Sequence, residues 1–488
     1  MPDVTDAVER PPERTIFGHP IGLANLFGVE LWERFSFYGM QGILTYYLYY
    51  TVTDGGLALP QSTATSIVGA YGGAVYLSTV FGAWIADRLV GMERTVLYGG
   101  VVVMLGHISL AVVPGLAGVG LGLVLVALGS GALTANITSL VGTLYAEGDT
   151  RRDAGFTLYY LGINVGAFVG PLLTGLAQVQ LGFHYGFGLA AIGMAVGLAQ
   201  YVVYRRNLGA AGRAPTNPLP ESARVATAAI VLVVAAAVVA TLFTGVVTLA
   251  NLAWVITGVI AAASVVYFAV ILASKKVTGV ERGRVWAFVP LFIANAVFWT
   301  MFQQMFTVLA VYSDERMDWN ILGWTAPPTW LQSEEPIWII LLSPVFALIW
   351  TKLGTRAPTT PVKFALGVIG MGAAFLLFLP FTGGTGKSTP ALAVHGILAV
   401  FAISELMLSP IGLSATSKLA PDAFRAQMMA LYFFSIGVGS SMAGVLARFY
   451  SPTDELAYFG TCGVATIVVG LAVYALKPWI SHRMQGVH

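Results

Sequence analysis

Apolar segments of about 20 residues follow one another along this chain with hardly a polar break, and that pattern decides what it can fold into. A bilayer core of about 30 Å is crossed by roughly 20 residues at 1.5 Å rise, so each segment is long enough for a span. About fourteen are present, over 22–50, 63–86, 94–113, 118–145, 153–178, 183–204, 225–248, 251–273, 284–313, 335–351, 364–381, 390–417, 426–447 and 457–476. Of the 488 residues 57% are hydrophobic and 10% charged, and the mean hydropathy is +0.78. A soluble domain carries about 25% charged residues, so a water-soluble globule is excluded. The chain reads as an all-α multi-pass membrane protein.

The remaining composition narrows the partners. A balance of 25 Lys plus Arg against 23 Asp plus Glu leaves +2, no excess with which to hold a nucleic-acid backbone. Cys462 is the single cysteine, so neither an intrachain disulfide nor a cysteine-rich metal site is expected, and no cofactor is implied. Residues 1–14 are polar and acidic, unlike a secretory signal, and read as a short cytoplasmic tail.

Sorting Lys and Arg onto alternate sides of the spans tests that count, because cytoplasmic loops hold the excess. With the first residue inside, 21 of the 25 fall inside, only Arg316, Lys387 and Arg448 fall outside, and Arg34 alone lies within a span. One extra or missing span would scramble this asymmetry. Both termini are therefore expected in the cytoplasm, with the plasma (inner) membrane as the location.

The longest interior linker, RRNLGAAGRAPTNPLPES over 205–222, has the Arg, Pro and Gly content of a connector between two bundles. Six spans precede it, two Ala- and Val-rich spans with almost no polar side chains follow, and then six more. The expected organisation is a six-helix bundle over 1–204, a linker and inserted helix pair over 205–283, and a second six-helix bundle over 284–488. Two packed bundles place a transport site at their interface, with the inserted pair as a lipid-facing spacer.

Of 48 charged side chains, only Glu30, Glu33, Arg34 and Glu405 fall deep within these spans. Each costs about 2.5–3.5 kcal/mol at mid-membrane on insertion scales, so each must be paired or face a wet cavity. Glu30, Glu33 and Arg34 stand at i, i+3 and i+4 on one helical face, continued by Phe37, Tyr38 and Gln41. One carboxylate can pair with the guanidinium; the second, crowded and desolvated, is placed to take up and hand on a proton. Packing alone would be met more cheaply by apolar residues. Glu405 sits in AVFAISELMLSPIGLS, where Pro410 frees backbone groups toward a cavity, and an isolated acid there can hold a substrate cation or titrate.

Other signals are weaker. GGTGKS at 383–388 imitates a phosphate loop but has Phe381 where the pattern needs Gly, and it lies on a short external loop with no strand before it. His107 reads as a core histidine. Asn136, Asn164, Asn295, Gln303 and Gln304 serve helix joining as readily as ligand contact. TYYLYY at 45–50 fits an interfacial aromatic belt.

Four stretches in order resemble the proton-dependent oligopeptide transporter family (POT or PTR) of the major facilitator superfamily. ELWERFSFYG at 30–39 resembles its ExxER motif, with Glu30, Glu33 and Arg34 in the charged places. GAWIADRLVGMER at 82–94 is similar to the superfamily loop between spans two and three. FTLYYLGINVGAF at 156–168 looks like the fifth-span signature, and SELMLSPIGLS at 404–414 puts Glu405 at the family's tenth-span acid. The inserted pair also matches bacterial members. The resemblance implies the major facilitator fold, two six-helix bundles plus two extra helices, and a monomeric proton symporter rather than an enzyme, importing di- and tripeptides or peptide-like compounds by alternating access. It implies proton coupling at Glu30, Glu33 and Arg34 and binding of the peptide amino terminus by Glu405. The pocket would be lined by Tyr38, Tyr76 and Trp299, with a polar contact from Asn164.

The chain departs from the family at four places: Gln41 where many members have Arg, Thr134 where many have Lys, Gln303 where Glu is usual, and Tyr432 where Trp is common. Gln41 and Gln303 read as an ion pair exchanged for an amide contact that keeps the membrane interior neutral. All four positions belong to the expected substrate site. With Arg34 as the sole cation inside a span, a second reading stays open: the same fold carrying a non-peptide amphiphilic metabolite, as a facilitator or exporter.

Overall fold

The computed structural model describes residues 15–146, 149, 151–209, 212–321 and 323–486; the expected tail over 1–14, with Arg10 and Arg14 of the charge tally, lies outside them. Six helices come first: α1 (Ile21–Tyr49), α2 (Gln61–Ile85), α3 (Met92–Val112), α4 (Gly115–Thr143), α5 (Arg152–Leu181) and α6 (Phe183–Tyr204). They are followed by α7 (Glu221–Phe243), α8 (Leu252–Ala273), α9 (Gly279–Phe302), the short α10 (Val308–Glu315), α11 (Leu331–Leu353), α12 (Thr360–Leu376), α13 (Ala391–Leu419), α14 (Arg425–Leu446), α15 (Glu455–Ala475) and the short α16 (Lys477–Met484). Thirteen helical stretches among the described residues are long and apolar enough to cross a membrane. The fourteenth span is α1, 29 residues long, whose hydropathy is lowered by the three charges of its middle turns.

Two six-helix groups form the body. In the first, α3 packs on α4 and α1 on α5 and α6; in the second, α12 packs on α13 and α15, and α14 on α9. The halves meet along α2 with α14 and along α5 with α11. Small residues allow the first of these crossings: a Cβ on Gly69 would lie 2.6 Å from the backbone of Gly444, closer than real packing permits. Gly69→Leu should therefore drive α2 off α14, at about 1–3 kcal/mol of overpacking. Pulsed-EPR distances between labels at Ser62 and Ala447 are expected to lengthen by several ångströms, and an unchanged distance would refute this account of the crossing.

α7 is exposed along its length, the condition of an apolar helix that meets lipid. α8 instead covers the seam between the halves. Its Thr257 donates to Ser441 on α14 at 2.8 Å, and Ser66 on α2 receives the backbone N–H of Ala253 at 3.3 Å. The inserted pair is thus a spacer on one side and a strap on the other.

The linker is strapped down as well. Backbone N–H groups of Asn217 and Leu219 donate to the carbonyls of Asp87 and Arg88, Glu93 N–H donates to Gly212, and Arg205 pairs with Glu93 at 2.7 Å. Gly91, with φ +85°, ends the preceding turn; a side chain there would strike the backbone of Gly212 and Arg213.

Most observed helices lie within a few residues of the expected spans, but two differ in ways that matter. The ninth expected span, 284–313, is broken: α9 stops at Phe302, a 3₁₀ turn covers Gln303–Phe306, and α10 restarts at Val308. The tenth begins at Leu331 instead of 335 and draws Glu334 and Glu335 into the helix. Glu335 is buried, so the expectation that only four charged residues lie deep within spans is corrected.

At the end where α1 finishes and α2 begins, the halves are joined by hydrogen bonds. Thr45 donates to the Phe306 carbonyl, the hydroxyls of Tyr49 and Tyr50 donate to the two oxygens of Asp314 at 2.6 and 2.9 Å, and Gln61 donates to Glu315. A cavity of about 270 Å³ between α2, α10 and the turn that follows α14 lies at this same end, lined by Gln61, Thr65, Val308, Ala447 and Tyr450.

The GGTGKS segment is an architectural cap. The Arg316 guanidinium takes the carbonyls of Gly384, Gly386 and Phe381. Carbonyls turned toward a cation have the opposite polarity to the N–H groups that cradle phosphate. A parallel pairing of Met317 with Thr389 seals the cap.

Candidate substrate and proton site

Helical spacing puts Glu30, Glu33 and Arg34 on one face of α1, and the packing of α4 and α5 closes over them. Arg34 Nε lies 3.0 Å from Glu30 Oε1 and 2.7 Å from Glu33 Oε2. Nη2 donates to Thr134 Oγ1 at 2.6 Å, and the guanidinium stands 5.3 Å above the Phe37 ring. Ser130 donates to Glu33 Oε1 at 2.8 Å. Glu30 and Glu33 are 1% and 0% exposed, so the cluster keeps little contact with solvent. Two acids against one cation leave one formal negative charge, and Glu30 Oε2 is buried without a hydrogen-bond partner among the described residues. That is an arrangement able to accept a proton.

Thr134, expected at the substrate, is engaged with Arg34 and belongs to this cluster. Gln41 is buried in the same helix, one turn beyond Tyr38, and Gln303 sits half-buried in the turn between α9 and α10. No hydrogen bond among the described residues joins them, so the expected amide contact is not made in this state. Gln304, the next residue, points the other way and accepts from Tyr458 at 2.7 Å.

On the opposite half, Glu405 of α13 and Glu335 of α11 are both buried, on two helices that pack against each other. The sequence reading missed Glu335. Its signal was a Glu-Glu-Pro at the start of an apolar run, which hydropathy places at the membrane edge; the helix starting four residues earlier carries it inward. Glu334, its neighbour, lies 3.4 Å from His395 at the start of α13.

The aromatic residues connect the two acidic groups. Tyr38 stacks on Phe306 across the interface at 6.0 Å and lies within electrostatic range of Tyr76, Arg34, Glu405 and Glu335. Tyr76 is in range of both Arg34 and Glu405. Tyr432 donates to the Ser409 carbonyl at 3.1 Å, one helical turn from Glu405 along α13. Asn164 donates to the Tyr160 carbonyl of its own helix, and Tyr160, also unforeseen, is in range of Glu405 and Glu335. Trp299 packs against Phe302 at 5.0 Å, and its buried indole N–H has no acceptor among the described residues. Tyr38 and Tyr76 are thus each within electrostatic range of both Arg34 of the α1 cluster and Glu405.

The model of the POT family matches residues 93–464 of this chain. A di-/tripeptide transporter of Lactococcus lactis subsp. cremoris is 40% identical, with 97% of this chain and 98% of that protein covered. The peptide transporter YePEPT of Yersinia enterocolitica is 35% identical over 96% of this chain and 95% of that protein. Among solved structures, a peptide transporter POT in complex with sulfate superposes with a TM-score of 0.93 at 45% identity, over 97% of this chain and 98% of that one. A POT family transporter in complex with 5-aminolevulinic acid gives 0.91 at 37% identity, over 96% and 98%.

Proposed function

The chain belongs to the POT family, and from that premise we propose that it is a proton-coupled symporter importing di- and tripeptides or compounds like them by alternating access. The observation that carries this reading is a buried acid–acid–arginine cluster on α1 together with a buried acid on α13, with Tyr38 and Tyr76 within electrostatic range of both. The first is placed to take up the proton and the second to hold the amine of the cargo. One proton moving down 100 mV supplies about 2.3 kcal/mol, enough for roughly a fiftyfold concentration ratio. The relatives named as di-/tripeptide transporters support the substrate class.

In the cycle we infer, the two halves are residues 1–204 and 284–488, joined through 205–283, in a monomer whose termini face the cytoplasm. With that orientation the hydrogen-bonded end at Asp314 is external, so the state described here is closed to the outside. Uptake of labelled dialanine into liposomes under an inward proton gradient tests the reading, and no uptake by folded protein would overturn it.

The charge inventory refines the expectation. Arg34 is occupied by Glu30, Glu33 and Thr134, whereas Glu405 forms no salt bridge among the described residues. Recognition should rest on the amine. Dialanine amide is expected to compete within about threefold of dialanine, and N-acetyl dialanine about 30-fold more weakly, the size of about 2 kcal/mol for a buried polar group left unpaired. Equal competition by the acetylated peptide would refute this assignment. The same inventory favours, as a second reading, an amine-bearing metabolite that is not a peptide. Thermal-shift measurements on a panel of both classes separate the two, because only a bound ligand stabilises the fold in proportion to occupancy.

A further inference from the structure

Two carboxyl groups on α1 share one cation, but the hydrogen bonds around them are unequal. Arg34 presents the same nitrogen, Nε, to Glu33 Oε2 at 2.7 Å and to Glu30 Oε1 at 3.0 Å. The remaining oxygens differ more. Glu33 Oε1 receives the Ser130 hydroxyl at 2.8 Å, whereas Glu30 Oε2 is buried without a hydrogen-bond partner among the described residues. A hydroxyl that donates to a carboxylate stabilises its charged form, and a buried oxygen with no donor is where a proton can bond without displacing one.

The helix that carries Ser130 is fixed from both sides at this turn. A Cβ on Gly129 would lie 2.6 Å from the Gly99 carbonyl oxygen of α3, and one on Gly131 would lie 2.5 Å from the backbone of Ser78 on α2. Between these two close approaches the Ser130 side chain reaches α1, and it is fully buried, as is Glu33, so bulk water cannot take its place. One turn further along α4, Thr134 accepts from Arg34 Nη2 at 2.6 Å and serves the cation instead. The other helices packed on the cluster bring tyrosines. Tyr71 of α2 is within electrostatic range of Glu33, and Tyr159 of α5, whose hydroxyl meets Thr138 at 3.3 Å, is within range of Glu30. Among the described residues no second cation pairs with either acid.

We propose that Ser130 is a positioning residue for proton coupling: by holding Glu33 as the ionised partner of Arg34, it assigns the coupling proton to Glu30. A hydronium ion gives up one proton, an O–H bond forms at Glu30 Oε2, and the cluster passes from one net negative charge to none. Release to water reverses the step, and no other bond changes. The proposal rests on the transport reading above in taking the α1 cluster as the place of proton uptake. Without the hydroxyl, Glu33 Oε1 is as bare as Glu30 Oε2, and the proton divides between the two acids.

Infrared difference spectra between acidic and neutral samples detect each protonated carboxyl group, identified by its shift in deuterium oxide. Ser130→Ala is expected to show a protonated-carboxyl band that wild type lacks, and adding Glu33→Gln to that variant should remove it. A Ser130→Ala spectrum identical with that of wild type would overturn the proposal. Gradient-driven uptake of labelled dialanine by Ser130→Ala should fall at least about tenfold, the weight of a lost hydrogen bond to a charged group, with counterflow within about twofold of wild type. Ser130→Cys, nearly the same in shape but only a weak donor, should behave as the alanine variant does. Cysteine at the wild-type rate, or an equal loss of counterflow in both variants, would reduce Ser130 to a space-filling role and overturn the assignment. Failure of wild-type protein to take up dialanine would sink the transport reading instead, and the infrared comparison would still decide which acid holds the proton.

Discussion

Glu33→Gln is expected to reduce gradient-driven uptake by at least about 100-fold while leaving counterflow exchange within about twofold of wild type. Glu33 is fully buried, held by Arg34 at 2.7 Å and by Ser130 at 2.8 Å. The amide preserves its shape and can still accept from Ser130, so the packing of α1 on α4 should survive. What it removes is the negative charge beside a guanidinium already shared with Glu30. An interaction of about 4 kcal/mol, the scale of a unit-charge contact at an effective dielectric of 20, is then absent throughout the cycle. Without it the two directions of the cycle lose their link to the proton gradient, while exchange of cargo for cargo needs no net proton movement. Both assays run on the same proteoliposomes. Wild-type rates in both would remove Glu33 from the coupling step, and loss of both would indicate a damaged fold.

Arg316→Leu should cost about 3–5 kcal/mol, among the largest losses any single substitution outside the α1 cluster would cause. Arg316 Nε pairs with Glu455 at 2.8 Å, and the guanidinium also takes the carbonyls of Phe381, Gly384 and Gly386. Glu455 is 2% exposed and has otherwise, among the described residues, only the Tyr450 hydroxyl at 3.3 Å. Removing the cation strands a buried carboxylate and three carbonyls at once. The measurement is thermal unfolding in detergent, where a fall of several degrees is expected. Glu455→Leu in the Arg316→Leu background should recover part of the loss, because two apolar groups leave no charge unpaired. A double variant no better than the single would show that the loop carbonyls, and not Glu455, carry the cost.

How much of this was legible beforehand follows from what hydropathy can see. Charges inside apolar helices stand out, so Glu30, Glu33, Arg34 and Glu405 were found directly, and the span count followed from segment length and Lys/Arg sidedness. Glu335 was missed because a helix boundary shifted by four residues moves an acid from the membrane edge to its interior. Thr134 was assigned to the cargo by its position in a motif, yet a guanidinium one helix away claims its hydroxyl, a contact that no single-sequence pattern encodes. The interruption after Phe302 was invisible because FQQMF is apolar enough to pass as continuous helix. The part of α8 that straps the halves together rests on Ser66, Thr257 and Ser441, isolated hydroxyls in three distant segments that acquire meaning only when brought together.

That interruption has a mechanical consequence. Beyond the turn at Gln303–Phe306, α10 is a short lever of eight residues, buried along most of its length, and the bonds that bar the doorway at this end land on it or on the turn at its root: Thr45 on Phe306, the paired tyrosines on Asp314, Gln61 on Glu315. A hinge at its base lets the lever swing while the longer rod below it stays seated against its neighbours. The doorway can thus be unlatched by a motion of two helical turns, without unseating the whole of the second bundle.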